Sequence, residues 1–226
     1  MEQNVFVLGL PGSGKSTALR HIEMLAHHFH RCPNVLQDYR ILYEMFRADE
    51  EGLRFSSTLH DGFDVHDFSA CDDALKQLER QLQEKERTLE HNRVNIIEFA
   101  RDDYCKALGF FASIPLEESF FLFIDAEVGI CKQRIKARVA NPQTPDDHYV
   151  SPYIFEAYYD RDHRQYLNST ATCLTERFHI AKERIKVIDN SNRVTMKDFV
   201  SQVNKFVSPI LREQIPTSSD LEADPV

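Results

Sequence analysis

Residues 9–17 read Gly9-Leu10-Pro11-Gly12-Ser13-Gly14-Lys15-Ser16-Thr17, and this nonapeptide limits what the chain can fold into more than any other segment. It satisfies G-x-x-x-x-G-K-[ST], and it stands between the apolar run Val5-Phe6-Val7-Leu8 and a stretch of helical spacing. Its glycines permit backbone conformations that turn successive N–H groups inward. Those groups, with the positive end of the following helix, form a nest for a polyphosphate. In such a nest Lys15 bridges the outer phosphates and the Ser16 hydroxyl ligates Mg²⁺. Nucleotide contacts are therefore expected along Gly9, Pro11, Gly12, Ser13, Gly14, Lys15, Ser16 and Thr17.

The rest of the chain continues the strand–helix alternation of an α/β sheet. Residues 4–9 read as a buried strand, and 15–30 as a helix with Ala18, Ile22, Leu25 and Ala26 on one stripe. A second strand is expected at 34–37 and a short helix at 40–47. Residues 48–70 read as irregular, with Asp61-Gly62 as a turn signal. Residues 71–92 give the clearest helix, capped by Asp72 or Asp73, with Leu75, Leu78, Leu82 and Leu89 in a seam that Lys85 interrupts. It reads as packed on its own domain, with a partner-binding coiled coil as the alternative. Strands follow at 94–99 and 119–125, the latter apolar on both faces like a central parallel strand. Helices are expected at 128–139, 153–166, 170–183 and 194–212, a polar loop at 141–151 and a fifth strand at 185–189. Residues 213–226 carry four acids, no bases and two prolines, and read as a disordered tail after a single domain of residues 1–212.

Composition narrows the partners. Among 226 residues, 27 basic and 36 acidic side chains leave a net charge of −9, which argues against a surface built to coat nucleic acid. The apolar run at 5–10 is too short to span a membrane and lacks the basic flank of a signal peptide. Five widely spaced cysteines (Cys32, Cys71, Cys105, Cys131, Cys173) without a Cys-x-x-Cys read as packing thiols of a reducing cytoplasm. His27 and His30 share a helix face but lack a third ligand at useful spacing, so they read as helix-terminal residues.

Chemistry is expected at strand ends, where open α/β folds bind ligands. The third strand ends Glu98-Phe99-Ala100-Arg101-Asp102-Asp103. Glu98 is a candidate to hold Mg²⁺ through water or to take the proton of an attacking hydroxyl. Arg101 offers a fork suited to phosphate oxygens, and Asp102 and Asp103 suit helix capping. The second strand ends Asp38-Tyr39-Arg40, where Asp38 competes with Glu98 as the base and Arg40 suits an acceptor anion. The polar stretch at 60–67, including His60 and His66, is a further candidate for acceptor contact. Tyr153, Phe155, Tyr158, Tyr159 and Tyr166, with Arg161 and Arg164 among them, read mainly as core, with base stacking as the other reading.

On its loop motif the chain resembles the P-loop NTPase superfamily, and within it the nucleoside and nucleotide kinase group. No guanine-reading Asn/Thr-Lys-x-Asp follows an apolar strand, so a GTP switch does not fit. Glu98 with Arg101 resembles the Glu-Arg-Ser or Asp-Arg-Tyr element of deoxynucleoside and thymidylate kinases, although here the arginine stands three residues on. The resemblance implies a three-layer fold with a five-stranded parallel sheet in order 2-3-1-4-5, helices on both faces and a helical lid at about 134–165. It implies that Asp38 lines the acceptor pocket and that Arg134 and Arg138 belong to the lid. Ile188-Asp189-Asn190-Ser191 is similar to an adenine-rimming turn of related kinases, which implies a base pocket at Asn190, Ser191, Asn192 and Arg193. The implied activity is transfer of the γ-phosphate of MgATP to a small nucleoside- or nucleotide-like acceptor. Two alternatives stand beside it: a small-metabolite or polynucleotide-end kinase, and an ATP-hydrolysing regulator acting through partner contacts. A homo-oligomer is compatible with either.

Overall fold

The computed structural model describes residues 3–59, 62–86, 92–142, 148–159, 170, 172–191 and 193–212. Strand β1 (Gln3–Gly9) occupies the middle of a parallel sheet, flanked by β5 (Arg93–Phe99) and β6 (Phe120–Asp125). Strands β2 (Cys32–Gln37) and β7 (Ile185–Asp189) form the two edges, giving the order β2-β5-β1-β6-β7. Counting these five strands alone, the order is the expected 2-3-1-4-5.

The central strands are apolar on both sides because both sides are covered. Along β1, Phe6 and Leu8 enter one core while Val5 and Val7 enter the other. The same alternation sends Ile97 and Phe99 of β5 one way, and Val94 and Ile96 the other. The second core is closed by α1 (Lys15–His28) and α7 (Met196–Arg212), through Ala18, Leu19 and Ile22 on α1 and Phe199, Val203 and Val207 on α7. The first core lies under α2 (Asp38–Ala48), α3 (Ser69–Glu86) and α4 (Tyr104–Leu108). It is rich in phenylalanine, and Phe6 stacks on Phe121 with centroids 4.9 Å apart. Helix, sheet and helix thus make three layers. Helices α5 (Val128–Ala140) and α6 (Pro152–Ala157), with helical residues 172–177, lie between β6 and β7.

Four local expectations change. Residues 48–70 contain a hairpin, β3 (Phe55–Ser57) against β4 (Phe63–Val65), too short to leave a periodic signature. The Asp49 carboxylate accepts the N–H groups of Leu53, Arg54 and Phe55 and fixes its entry, while Phe55, Phe63 and Val65 join the first core. Helix α3 starts at Ser69 rather than at residue 71, and Asp67 accepts the Ser69 N–H at 3.0 Å. Asp72 and Asp73 are therefore inside the helix, paired with Lys106 and with Arg54 and Lys76. Helix α6 ends at Ala157, with Tyr158 and Tyr159 outside it, and the last helix before β7 gives way at Phe178 to a 3-10 turn over Lys182–Arg184.

The fourth change concerns the cysteines. Cys105 and Cys173 are joined by a disulfide, so the five do not form a uniform set of thiols. Cys71 and Cys131 are buried free thiols and Cys32 is an exposed one. Burial raises the Cys71 thiol and pushes Cys131 up to about 11, which keeps both protonated and unreactive at neutral pH. His60, Asp61, Asn192, Tyr166, Arg161, Arg164 and residues 213–226 lie outside the described residues, as do 87–91 and 143–147.

Candidate functional site

The loop between β1 and α1 is held in a shape that only its glycines allow. Gly12 has φ +79°, and a Cβ there would sit 2.6 Å from the Cys131 carbonyl oxygen on α5. Gly14 has φ +113°, and its Cβ would sit 2.4 Å from the Asn190 side-chain nitrogen. The loop is therefore clamped between α5 and the turn after β7. Asn190 Nδ2 donates to the Ser13 carbonyl at 2.7 Å, and Arg134 donates to the carbonyls of Ser13 (3.3 Å) and Asn190 (2.9 Å). Gly14 caps α1 without any side-chain cap, and the first turn of α1 holds no acidic residue. Nothing on the helix competes for an anion at its positive end.

Lys15 is buried at the start of α1. Its ammonium donates to the Leu10 carbonyl at 3.1 Å and stands 3.7 Å from Glu98 Oε1. Burial holds it below its ordinary value, and the carboxylates of Glu98 and Asp38 pull the other way. Glu98 comes beside Lys15 because β1 and β5 are neighbours with Val7 opposite Glu98. On its other side, β2 places Gln37 opposite Glu98, and Gln37 Nε2 donates to Glu98 Oε2 at 2.7 Å.

Asp38 opens α2, and its carboxylate is paired with the Arg101 guanidinium. Arg101 also donates to the Ala100 carbonyl at 2.6 Å and the Cys71 carbonyl at 2.7 Å. Burial works against the charge on Arg101, but Asp38 together with Cys71, Tyr158 and Tyr159 outweighs it and the group stays firmly cationic. Arg101 is thus a fixed part of the wall. Asp103 caps α4 by accepting the Lys106 N–H at 2.9 Å.

These groups bound one cavity of about 330 Å³. Lys15, Asp38, Glu98 and Arg101 line it together, with Pro11, Gly12, Gly14, Ser16 and Thr17 on the loop side and Arg134 and Arg138 from α5. The opposite wall is aromatic, with Tyr39, Phe63, Phe68, His148, Tyr149 and Tyr158 among its residues. Burial raises the Tyr158 hydroxyl, which therefore stays neutral. Gly9 and Ser13 do not line the cavity, nor do the described residues of the 190–193 turn, of which Asn190 touches the loop. Arg40 and His66 stand apart from it as well, His66 contacting Ser56 Oγ at 2.7 Å in the hairpin.

The residues present fit a nucleotide with Mg²⁺. The positive-φ glycines leave a cradle that side chains would fill, and the buried Ser13 Oγ has no hydrogen-bond partner among the described residues. Ser16 and Glu98 face one space, offering a hydroxyl and a single carboxylate. Such sparse protein ligation suits Mg²⁺, which keeps waters and phosphates as its other ligands.

Sequence reasoning missed Gln37, Arg20 and most of the aromatic wall. Gln37 precedes Asp38 directly and shares the register of Glu98, so strand pairing was the signal that would have found it. Arg20 lines the cavity one turn beyond Ser16 on α1.

The sequence matches no family model and no curated protein. Among solved structures, a sugar kinase from Janibacter sp. HTCC2649 is similar over 95% of this chain and 100% of its own, with TM-score 0.53 and 14% identity. Shikimate kinases from Acinetobacter baumannii and Bacteroides thetaiotaomicron align over 95% and 92% of this chain, and 96% and 98% of theirs, each at 13% identity with TM-scores of 0.44 and 0.46. Likeness to the first of these, at 14% identity, concerns the fold alone. The chain shares the α/β fold of that sugar kinase, a five-stranded parallel sheet with helices on both faces. No helix among the described residues is long and apolar enough to cross a membrane.

Proposed function

We propose that this chain transfers the γ-phosphate of MgATP to a small, nucleoside- or nucleotide-like acceptor. The observation that supports this reading is the shared cavity, in which the phosphate loop faces a second set of polar groups: Asp38 at the start of α2, Glu98 on β5 and Arg101 just beyond it. A protein that only hydrolysed nucleotide would have no need of that second half.

In this reading the amides of the loop and Lys15 hold the phosphates, the Ser16 hydroxyl would hold Mg²⁺ directly, and Glu98 would reach it only through water. The metal ion supplies charge neutralisation of the phosphate oxygens when bound. Glu98 accepts the proton of the acceptor hydroxyl, and Gln37 keeps that carboxylate turned toward the cavity. Arg134 and Arg138 present cations to the charge that spreads over the transferring group, and α5 carries them against the loop. Asp38 and Arg101, tied to each other, shape the acceptor wall.

Equilibrium binding of MgATP and MgGTP to wild type and Lys15→Ala tests the first half. Wild type is expected to bind MgATP and the variant to lose it. An ADP-release screen over nucleosides, nucleotides, sugars and cofactor precursors tests the second half. An acceptor that stimulates ADP release is the expected outcome, and steady ATP turnover that no acceptor stimulates would support the regulator instead.

A further inference from the structure

The cavity has two unlike halves. On the loop side its groups are cations and amides, and on the far side they are rings. The Tyr39 ring lies flat against that of His148, with centroids 3.5 Å apart and planes 8° apart. Tyr39 is also near-parallel to Phe63, at 5.7 Å and 15°. The separation from His148 is the contact distance of two aromatic planes.

His148 reaches Tyr39 from a remote part of the chain. Its backbone oxygen accepts from Arg138 Nη2 at 3.0 Å, and Arg138 stands on α5, the helix that Arg134 ties to the phosphate loop. A protein ring is therefore seated on Tyr39 among the cavity's lining residues, and its backbone is hydrogen-bonded to a helix that also touches the loop. Tyr39 directly follows Asp38, and both line the cavity with Glu98.

In the far half two charged groups are already engaged within the wall. Asp38 and Arg101 are engaged with each other, and Arg101 donates in addition to two carbonyls. Sites for ring-free polyols need convergent polar groups, whereas flat apolar faces suit a planar ring.

We infer that the acceptor carries a planar aromatic ring that stacks on Tyr39 in the place His148 takes in this structure. Tyr39 then selects ring-bearing acceptors, and His148 competes with them until the ring arrives. This rests on the phosphotransfer reading above, and it names the recognition element of that same site.

The test compares adenosine, thymidine and pyridoxine with glucose, gluconate and shikimate in an ADP-release assay at fixed MgATP. Ring-bearing alcohols are expected to turn over and ring-free ones are not. Removing a stacking partner commonly weakens binding about tenfold. Tyr39→Ala should therefore raise the KM of the ring-bearing acceptor about tenfold, with the KM for MgATP little changed, and Tyr39→Phe should restore it. His148→Ala should lower that acceptor KM, opposite in sign to Tyr39→Ala. Preference for ring-free acceptors, or movement of both alanine variants in the same direction, would overturn the inference. Calorimetric MgATP binding is measured on the same samples, and its absence counts against phosphotransfer alone. Saturation-transfer NMR with the six compounds in the absence of nucleotide then reads the ring site by itself. Contact by the ring-bearing set that disappears in Tyr39→Ala supports it, and contact by neither set overturns it.

Discussion

Arg101 and Asp38 form a buried ion pair that ties the segment after β5 to the first residue of α2. Two sheet strands thus deliver opposite charges to one wall of the cavity, and each side chain compensates the other. Removing one partner from a buried pair leaves a charge without its counterion, which costs about 3–5 kcal/mol. Asp38→Asn and Arg101→Met are each expected to lower the urea midpoint accordingly. The double variant is expected to lose clearly less than the sum, because the residual charge is then absent. Additive losses in urea titrations would mean that the pair is not coupled in solution.

Glu98 and Asp38 are both candidate bases in the sequence, and the two carboxylates have different partners in the structure. Asp38 Oδ2 is engaged by Arg101, while Glu98 is oriented by a neutral amide from Gln37. Glu98→Gln is expected to lower kcat about 10²–10⁴-fold with MgATP affinity largely kept, measured by single-turnover transfer. Gln37→Leu removes only the orienting donor, so a smaller loss of kcat is expected, with the KM for MgATP unchanged. Transfer by Glu98→Gln within a few-fold of wild type would move the base to another group.

The loop and the sheet were legible because their rules are local. Glycine at 9, 12 and 14 is a backbone requirement written in consecutive residues, and all three have positive φ. Alternating apolar strands declared a sheet covered on both faces. The rest depends on distance in sequence. Gln37 meets Glu98 across 61 residues through strand register, and Tyr39 meets His148 through a segment that no periodicity predicts. The arginines of α5 were legible as residue types near phosphates. That Arg134 would fasten the loop to the Asn190 turn required knowing that α5 packs on Gly12.

Lys15 links binding to stability in the opposite sense to most ion pairs. Burial lowers its ammonium below 10.5 despite Glu98 and Asp38, so the unfolded chain holds that proton more firmly than the folded one. Below the folded value the group opposes folding, and the opposition fades as pH rises from there toward 10.5. Lys15→Met is therefore expected to stabilise the nucleotide-free chain by about 0.5–2 kcal/mol at pH 7. The gain should shrink as the pH approaches 10.5, and MgATP binding should be lost throughout. Thermal melts across pH, with and without MgATP, read both effects. A variant less stable than wild type at pH 7 would mean that Glu98 gains more from Lys15 than burial takes away.

The disulfide sets the sequence expectation of a reducing cytoplasm against the structure. Cys105 stands on α4, just beyond the Arg101 wall, and Cys173 lies in the helical stretch beyond Tyr158 and Tyr159, with Cα atoms 6.5 Å apart and a sequence separation of 68. A cross-link closing a loop of that length typically adds about 2–4 kcal/mol, chiefly by restricting the unfolded chain. Structural disulfides are rare where glutathione keeps thiols reduced. Denaturing alkylation of protein quenched in acid before lysis distinguishes the two states by mass. Three labelled cysteines without reductant and five with it are expected from the structure, the three being Cys32, Cys71 and Cys131. Cys105→Ser is then expected to lower stability by about 2–4 kcal/mol under oxidising conditions and to have little effect once the wild type is reduced. Five labelled cysteines at the first step would place the chain in a reducing compartment with the pair open, and Cys105→Ser would then change little under either condition.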